Sequence, residues 1–180
     1  MLTKNQFEVL NALRQPPNAS QRDIASASDL SLGTVNTTLK TLIADGLVEN
    51  GGLTNAGKDA LAPYKVENAV VLAAGLSSRF APISYEKPKG LLKVRGEVLI
   101  ERQIGQLKAA GIDDITLVVG YKKEYLFYLR NKYGVEIVNN DEYASRNNNG
   151  SLWRVRNKLG NTYVCSSDDY FTENPFEAYV

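Results

Sequence analysis

The chain has 180 residues, 43% of them hydrophobic and 23% charged, with a formal net charge of +1. That balance describes a globular protein long enough for one or two cores, and it excludes a global basic field that would draw the chain to nucleic acid or an anionic membrane. One cysteine, Cys165, and no histidine exclude an internal disulfide framework and a zinc site, and residues 69–76, the longest apolar run, fall far short of the roughly 20 a membrane helix needs.

The N-terminus has an amphipathic helical pattern without a signal-peptide core, so a cytoplasmic protein with no membrane partner is expected. Thr3 is placed to cap a first helix in which Phe7, Leu10 and Leu13 recur at near-helical spacing, ending before Pro16 and Pro17. Ser20 and Asp23 form a capping-box pattern for a short helix to about residue 27. Ser31 then caps a third helix whose inward stripe is Val35, Leu39, Leu42 and Ile43, ending at Gly46. Asn50 and Gly51 favour a type I′ turn in a small hairpin over residues 47–54, and a short helix follows over residues 55–62.

This order of helix, helix-turn-helix and hairpin, closed by L-T-x-A-G-x-x-A-L at residues 53–61, resembles the winged helix-turn-helix of bacterial regulators. The resemblance implies a first domain at residues 1–62. On a DNA-binding reading, the outward side of the third helix would present Thr34, Asn36, Thr37, Lys40 and Thr41 to the major groove. Charge argues against a free-standing DNA binder. Up to Lys65 there are six basic side chains (Lys4, Arg14, Arg22, Lys40, Lys58, Lys65) and six acidic ones (Glu8, Asp23, Asp29, Asp45, Glu49, Asp59), with no cation at the Asn50-Gly51 wing tip. A docking or homodimerisation module is the alternative.

Residues 63–68 are polar and read as a linker. Strands then alternate with helices: strands at 69–74, 115–119, 135–138 and 162–165, and helices at 98–110, 123–132 and 151–158. In the first of these helices Ile100, Ile104 and Leu107 point inward and Gly111 is the stop. Such alternation gives an α/β domain on a mainly parallel sheet, with ligand chemistry at the carboxyl ends of its strands.

The first such end is the most informative stretch of the chain. An apolar strand runs into Gly75, where a missing Cβ lets backbone N–H groups approach phosphate oxygens; Arg79 follows, and Lys89 comes ten residues later behind Pro88. Pro88 restricts Lys87 to extended backbone and stiffens the presentation of Lys89, Pro82 shapes the same loop, and Lys87 itself reads as a solvated charge. Neither a Walker A loop nor the glycine triplet of a dinucleotide site is present.

The string L-A-A-G-x-x-S-R-(x8)-P-K resembles the signature of nucleotidyltransferases that join a nucleoside triphosphate to a phosphorylated small molecule, with Ser77 where the family usually has glycine. The resemblance implies a Rossmann-like nucleotidyltransferase sheet over residues 69–180. It implies that Leu72, Ala73, Ala74, Gly75, Leu76 and Ser77 form the nucleotide-binding strand end and turn. Arg79 would hold the β- and γ-phosphates, and Lys89 would bridge the α-phosphate and the incoming phosphate. Ser166-Ser167-Asp168-Asp169-Tyr170 follows the last strand, and the same resemblance gives Asp168 the role of Mg²⁺ ligand, with Asp169 in support. A triphosphate and a hard divalent cation suit one or two carboxylates at a strand edge.

Residues 140–152, with V-V-G-Y-K-K-E upstream, resemble the bacterial CTP:phosphocholine cytidylyltransferases through N-x-x-Y-A-x-x-N-N-x-x-S-L. Asparagine offers the donor and acceptor that cytosine requires, so Asn147, Asn148, Gly150 and Ser151 are the base-reading candidates, and Ser151 is also a natural helix cap. Trp153 reads as a core residue, with a cage for quaternary ammonium shared with Tyr170 as the alternative. The resemblance implies CMP transfer from CTP to phosphocholine. Its rivals are a sugar-phosphate nucleotidyltransferase and a DNA-binding regulator with a nucleotide-sensing half. After the first domain about 115 residues remain, roughly half of the catalytic domain it resembles, and residues 177–180 read as helical; an incomplete sheet is therefore expected, and with it a chain that could be inactive on its own.

Overall fold

The computed structural model describes residues 1–14, 19–78, 81–146 and 148–180. The chain divides into two compact units, residues 1–65 with Tyr179, and residues 66–178 with Val180.

The first unit follows its capping signals closely. Helix α1 (Lys4–Ala12) opens on a capping box between Thr3 and Gln6, and α2 (Gln21–Ser28) on one between Ser20 and Asp23. In α3 (Leu32–Ala44) the cap is Ser31, whose hydroxyl accepts the Thr34 N–H. The hairpin pairs β1 (Val48–Glu49) with β2 (Gly52–Leu53) across Asn50 and Gly51, both at positive φ as a type I′ turn requires. Helix α4 (Asn55–Leu61) starts at Thr54, and its Gly57 lies against the Leu47 backbone where no Cβ would fit. Val9, Leu10, Leu13, Ile24, Val35 and Leu42 are among the residues of the buried core.

One expectation for this unit is corrected. Ile43 is 56% exposed, because it lies about 100° around the helix from Leu42, and the buried stripe of α3 is Val35, Thr38 and Leu42. The division between the units falls within residues 63–68, where Ala62–Tyr64 forms a 3₁₀ turn and Asn68 begins a strand. The Pro16-Pro17 stop lies outside the described residues.

The second unit is an α/β layer structure. Strands β3 (Asn68–Ala73), β6 (Ile115–Val119), β7 (Glu136–Asn139) and β8 (Thr162–Ser166) form one parallel sheet in the order β7-β6-β3-β8. Ala69, Val71 and Ala73 face one side of it, with Ile115, Leu117 and Val119 beside them, and meet Ile100, Ile104 and Leu107 of α5 (Leu99–Ala109). Val70 and Val118 face the other side and pack on Val155, after α7 (Asn148–Arg154). A small hairpin, β4 (Lys93–Val94) with β5 (Glu97–Val98), turns at Arg95 and Gly96. The helix expected over residues 123–132 is two pieces, a 3₁₀ turn at Lys123–Leu126 and then α6 (Tyr128–Tyr133). The end of the chain is not helical: residues 171–178 run irregularly, with Phe176 buried against Tyr163 and Phe171.

Since β3 pairs with β6 on one side and β8 on the other, the chain changes direction across the sheet between β3 and β8. The crevice outside the carboxyl ends of these two strands is where ligands enter open α/β sheets. No helix among the described residues is long and apolar enough to cross a membrane.

Candidate active site

Leu72 of β3 is paired with Val118 and with Ser166, so the three strands reach the crevice at one level. Beyond that level β3 continues into the turn at Ala74 and Gly75, and β8 continues into Ser167 and Asp168. A cleft of ≈ 770 Å³ opens there, lined by Ala74, Gly75, Leu76, Ser77, Lys89 and Asp168 on one part and by residues of the 143–151 segment on the other. A Cβ at Gly75 would meet no atom within 4 Å, so the glycine leaves open space on the wall of the cleft. Ser77 sits at φ +56°, in the left-handed region. The glycine usual here in the resembled family would take this conformation freely, and a serine takes it at some cost.

Lys89 and Asp168 meet in this cleft, with Nζ 2.7 Å from Oδ2 and side chains 26% and 23% exposed. Each is fixed by its own element. Lys89 begins a 3₁₀ turn (Lys89–Leu91) directly after the extended Pro88, and the neighbouring Gly90 lies so near Ser167 that a Cβ would stand 3.1 Å from it. Ser167 donates its N–H to the Leu72 carbonyl, and Gln103 of α5 donates its amide to the Ser166 carbonyl. The Ser166 hydroxyl donates to Asp168 Oδ1 at 2.5 Å. Burial by itself would raise the Asp168 carboxyl, but the hydrogen bonds from Lys89 and Ser166 and the lysine's charge hold it below the ordinary carboxylate value.

An ionised, half-buried carboxylate beside an open cleft is the donor a magnesium ion takes when phosphate oxygens and water complete its shell. No group of three His, Cys, Asp or Glu ligands that could hold a metal ion exists among the described residues. Asp169 is exposed. Burial, with a smaller contribution from Asp169, pushes the Cys165 thiol up to about 11, so this lone cysteine stays protonated and is no nucleophile.

The remaining sequence candidates divide. Asn148 and Ser151 line the cleft, whereas Arg79 and Asn147 lie outside the described residues. Leu72 and Ala73 do not line it: Leu72 packs with Val70, Val118 and Val155 on one face of the sheet, and Ala73, on the other, lines a small recess with Gly75, Ser77 and Lys89. Gly150 is buried, with a Cβ position only 2.8 Å from the Arg146 side chain, and does not face the cleft either. Ser151 is no helix cap: α7 begins at Asn148, and the Ser151 hydroxyl accepts a hydrogen bond from the buried Asn140 amide at 3.0 Å. Trp153 is 62% exposed under the Arg156 guanidinium, so it is not core. Tyr170 packs on Arg102, and neither ring lines the cleft, so they form no cage there.

Ser145, Arg146 and Asn149 line the cleft, and nothing in the sequence singles them out. Tyr143, which also lines it, and Asn140, which supports the segment by accepting the Glu142 N–H, are letters of the N-x-x-Y-A-x-x-N-N motif to which the sequence assigns no role. Gly120, against the Ala74 carbonyl and Tyr143, is likewise a letter of V-V-G-Y-K-K-E, and its close fit is not legible there.

Residues 69–168 match the family described as the MobA-like NTP transferase domain, which is more than half of the chain. The chain belongs to this family. Residues 2–49 match the family described as winged helix-turn-helix DNA-binding, so a winged helix precedes the transferase unit. Among curated proteins, the chain is 48% identical over 108 residues to the choline-phosphate cytidylyltransferase of Streptococcus pneumoniae, covering 60% of this chain and 47% of that protein. It is 41% identical over 104 residues to the 2-aminoethylphosphonate cytidylyltransferase of Lancefieldella rimae, covering 56% and 42%. The solved structure of the CTP:phosphocholine cytidylyltransferase from Streptococcus pneumoniae matches with a TM-score of 0.61 and 47% identity, over 62% of this chain and 49% of that one. The chain spans about half the length of the curated relatives it matches.

Proposed function

We propose that the transferase unit moves CMP from CTP to phosphocholine, forming CDP-choline and pyrophosphate in the presence of Mg²⁺. A phosphocholine oxygen attacks the α-phosphorus in line, and the bond to the bridging oxygen breaks as pyrophosphate leaves with its electron pair. The observation that carries this reading is the meeting of Lys89 and Asp168 beside the Gly75 turn, at the crevice between β3 and β8. Lys89 would transfer its charge from Asp168 to the α-phosphate and stabilise the negative charge that develops there. Asp168 would then be free to hold the cation, which neutralises the triphosphate and orients its oxygens. The backbone of residues 75–77 would cradle the phosphates, Arg79 would hold the β- and γ-phosphates, and Asn147 and Asn148 would read the base.

A second acceptor has its own support. The likeness to a 2-aminoethylphosphonate cytidylyltransferase favours any small molecule that joins an amine cation to a phosphate or phosphonate. For the winged unit, its balanced charge favours protein contact over free-standing DNA binding.

The test is pyrophosphate release by the chain with CTP, UTP or GTP against phosphocholine, 2-aminoethylphosphonate and glucose 1-phosphate. Turnover is expected with CTP and phosphocholine, and Lys89→Ala is expected to lower it on the order of 10²–10³-fold. Release with glucose 1-phosphate alone, or a loss below about tenfold in an active Lys89→Ala protein, would overturn the assignment.

A further inference from the structure

The turn after β6 touches two of the segments that wall the cleft and the stretch that leads to Lys89. Tyr121 donates its N–H to the Ala74 carbonyl at 3.1 Å, and its ring lies 6.3 Å from that of Tyr143. Lys122 reaches in a third direction: its ammonium donates to the Tyr85 carbonyl at 2.7 Å and lies 3.5 Å from the Glu86 carbonyl. Those two carbonyls belong to the segment that joins Ser77 to Lys89.

The part of that segment over residues 81–86 is poorly held by apolar burial. Its 3₁₀ turn at Ile83–Tyr85 leaves Ile83 and Tyr85 51% and 67% exposed, while the side chain it buries is Ser84, whose hydroxyl has no partner among the described residues. A charge-assisted hydrogen bond from Lys122 is therefore a main restraint on it. The lysine is itself held in place, with its ammonium 5.7 Å and 5.6 Å from the ring centres of Tyr121 and Tyr125. Its backbone sits at φ +50°, a conformation that suits glycine and disfavours a lysine. The position thus keeps a long cation where local conformation favours no side chain.

We propose that Lys122 is a positioning residue: by holding the Tyr85 carbonyl it sets residues 81–89 so that Lys89 meets the phosphates of a nucleotide. The inference rests on the nucleotide reading above, and it adds a residue that does not line the cleft. Its effect falls on the phosphates rather than on the base or ribose, because the residues it holds lead to Lys89, which that reading places at the α-phosphate.

The test compares the full chain with Lys122→Met and Lys122→Gly, by calorimetric binding of CTP with Mg²⁺ and of cytidine, and by hydrogen exchange at the Tyr85 and Glu86 amides. Both variants are expected to bind CTP about tenfold more weakly, the lower end for loss of a hydrogen bond to a charged group, with cytidine affinity unchanged. Exchange at the two amides rises in both, while Lys122→Gly melts no lower than the parent, since glycine relieves the left-handed backbone. Equal loss for CTP and cytidine, or exchange unchanged in both variants, overturns the proposal. If the parent binds no CTP while exchange still rises, the loop restraint stands and the nucleotide reading is what fails.

Discussion

Burial raises the Asp168 carboxyl, while Lys89 at 2.7 Å and the Ser166 hydroxyl lower it, and the net direction is downward. Lys89→Met removes the ammonium's hydrogen bond and charge and leaves the burial. The Asp168 titration midpoint should therefore rise, as read by carboxylate carbon NMR between pH 2 and 7; a midpoint that stays or falls would place the ion pair elsewhere. Stability follows the same sign. A carboxylate lowered by folding contributes stability that is fully present above its ordinary value of 3.8 and is lost as the pH falls through the lowered one. The advantage of the parent over Lys89→Met should accordingly narrow as the pH drops below 3.8. For the proposed enzyme this means that Asp168 is ionised wherever a metal-bound nucleotide is stable.

At the level of elements, the ends of β3 and β8 open on the cleft, and the end of β6 stands behind it at Gly120, which fits closely between the Ala74 turn and Tyr143. A Cβ there would stand 2.8 Å from both the Ala74 carbonyl and the Tyr143 Cβ, and the first of these is backbone that cannot rotate away. Gly120→Ala should cost about 1–3 kcal/mol in a denaturant titration, as overpacking does, and should weaken nucleotide binding by displacing both walls. Unchanged stability would show that the two walls can separate freely. The sheet strands were legible because a doubly covered parallel strand is a continuous apolar run, as N-A-V-V-L-A and I-T-L-V-V are. The helix boundaries were less so. Ser151 is an excellent cap by type, yet its hydroxyl is engaged by Asn140, a tertiary contact no local pattern announces. The segment after Asp168 is irregular rather than helical, and Arg102 and Gln106 of α5 bind the carbonyls of Phe171, Thr172 and Glu173, partners 65 to 70 residues away in sequence. The β4–β5 hairpin carried the signal of Arg95-Gly96 but only two residues per strand, too few for an alternation to register.

For the molecule as a whole, the two units share one chain but not one charge logic. The transferase unit concentrates Lys89 and Asp168 at a single cleft, whereas the winged unit spreads six cations and six anions over residues 1–65. Of the five residues on α3 that a major groove would meet, Lys40 is the sole cation. Thr37 and Thr41 are exposed but donate their hydroxyls to the Gly33 and Thr37 carbonyls, and Asn36 donates its amide to Gln21. Non-specific affinity for a duplex grows with the number of phosphates neutralised, each adding close to one unit to the salt slope. The full chain should therefore bind a random-sequence duplex with a slope of only about one or two, and no more tightly than about 10⁻⁴ M near physiological salt. Fluorescence anisotropy across a salt series measures both quantities. A slope of six or more, on the order expected of many phosphate contacts, would mean that cations gather on one face of the winged unit despite its neutral total, and would return DNA to the list of its partners.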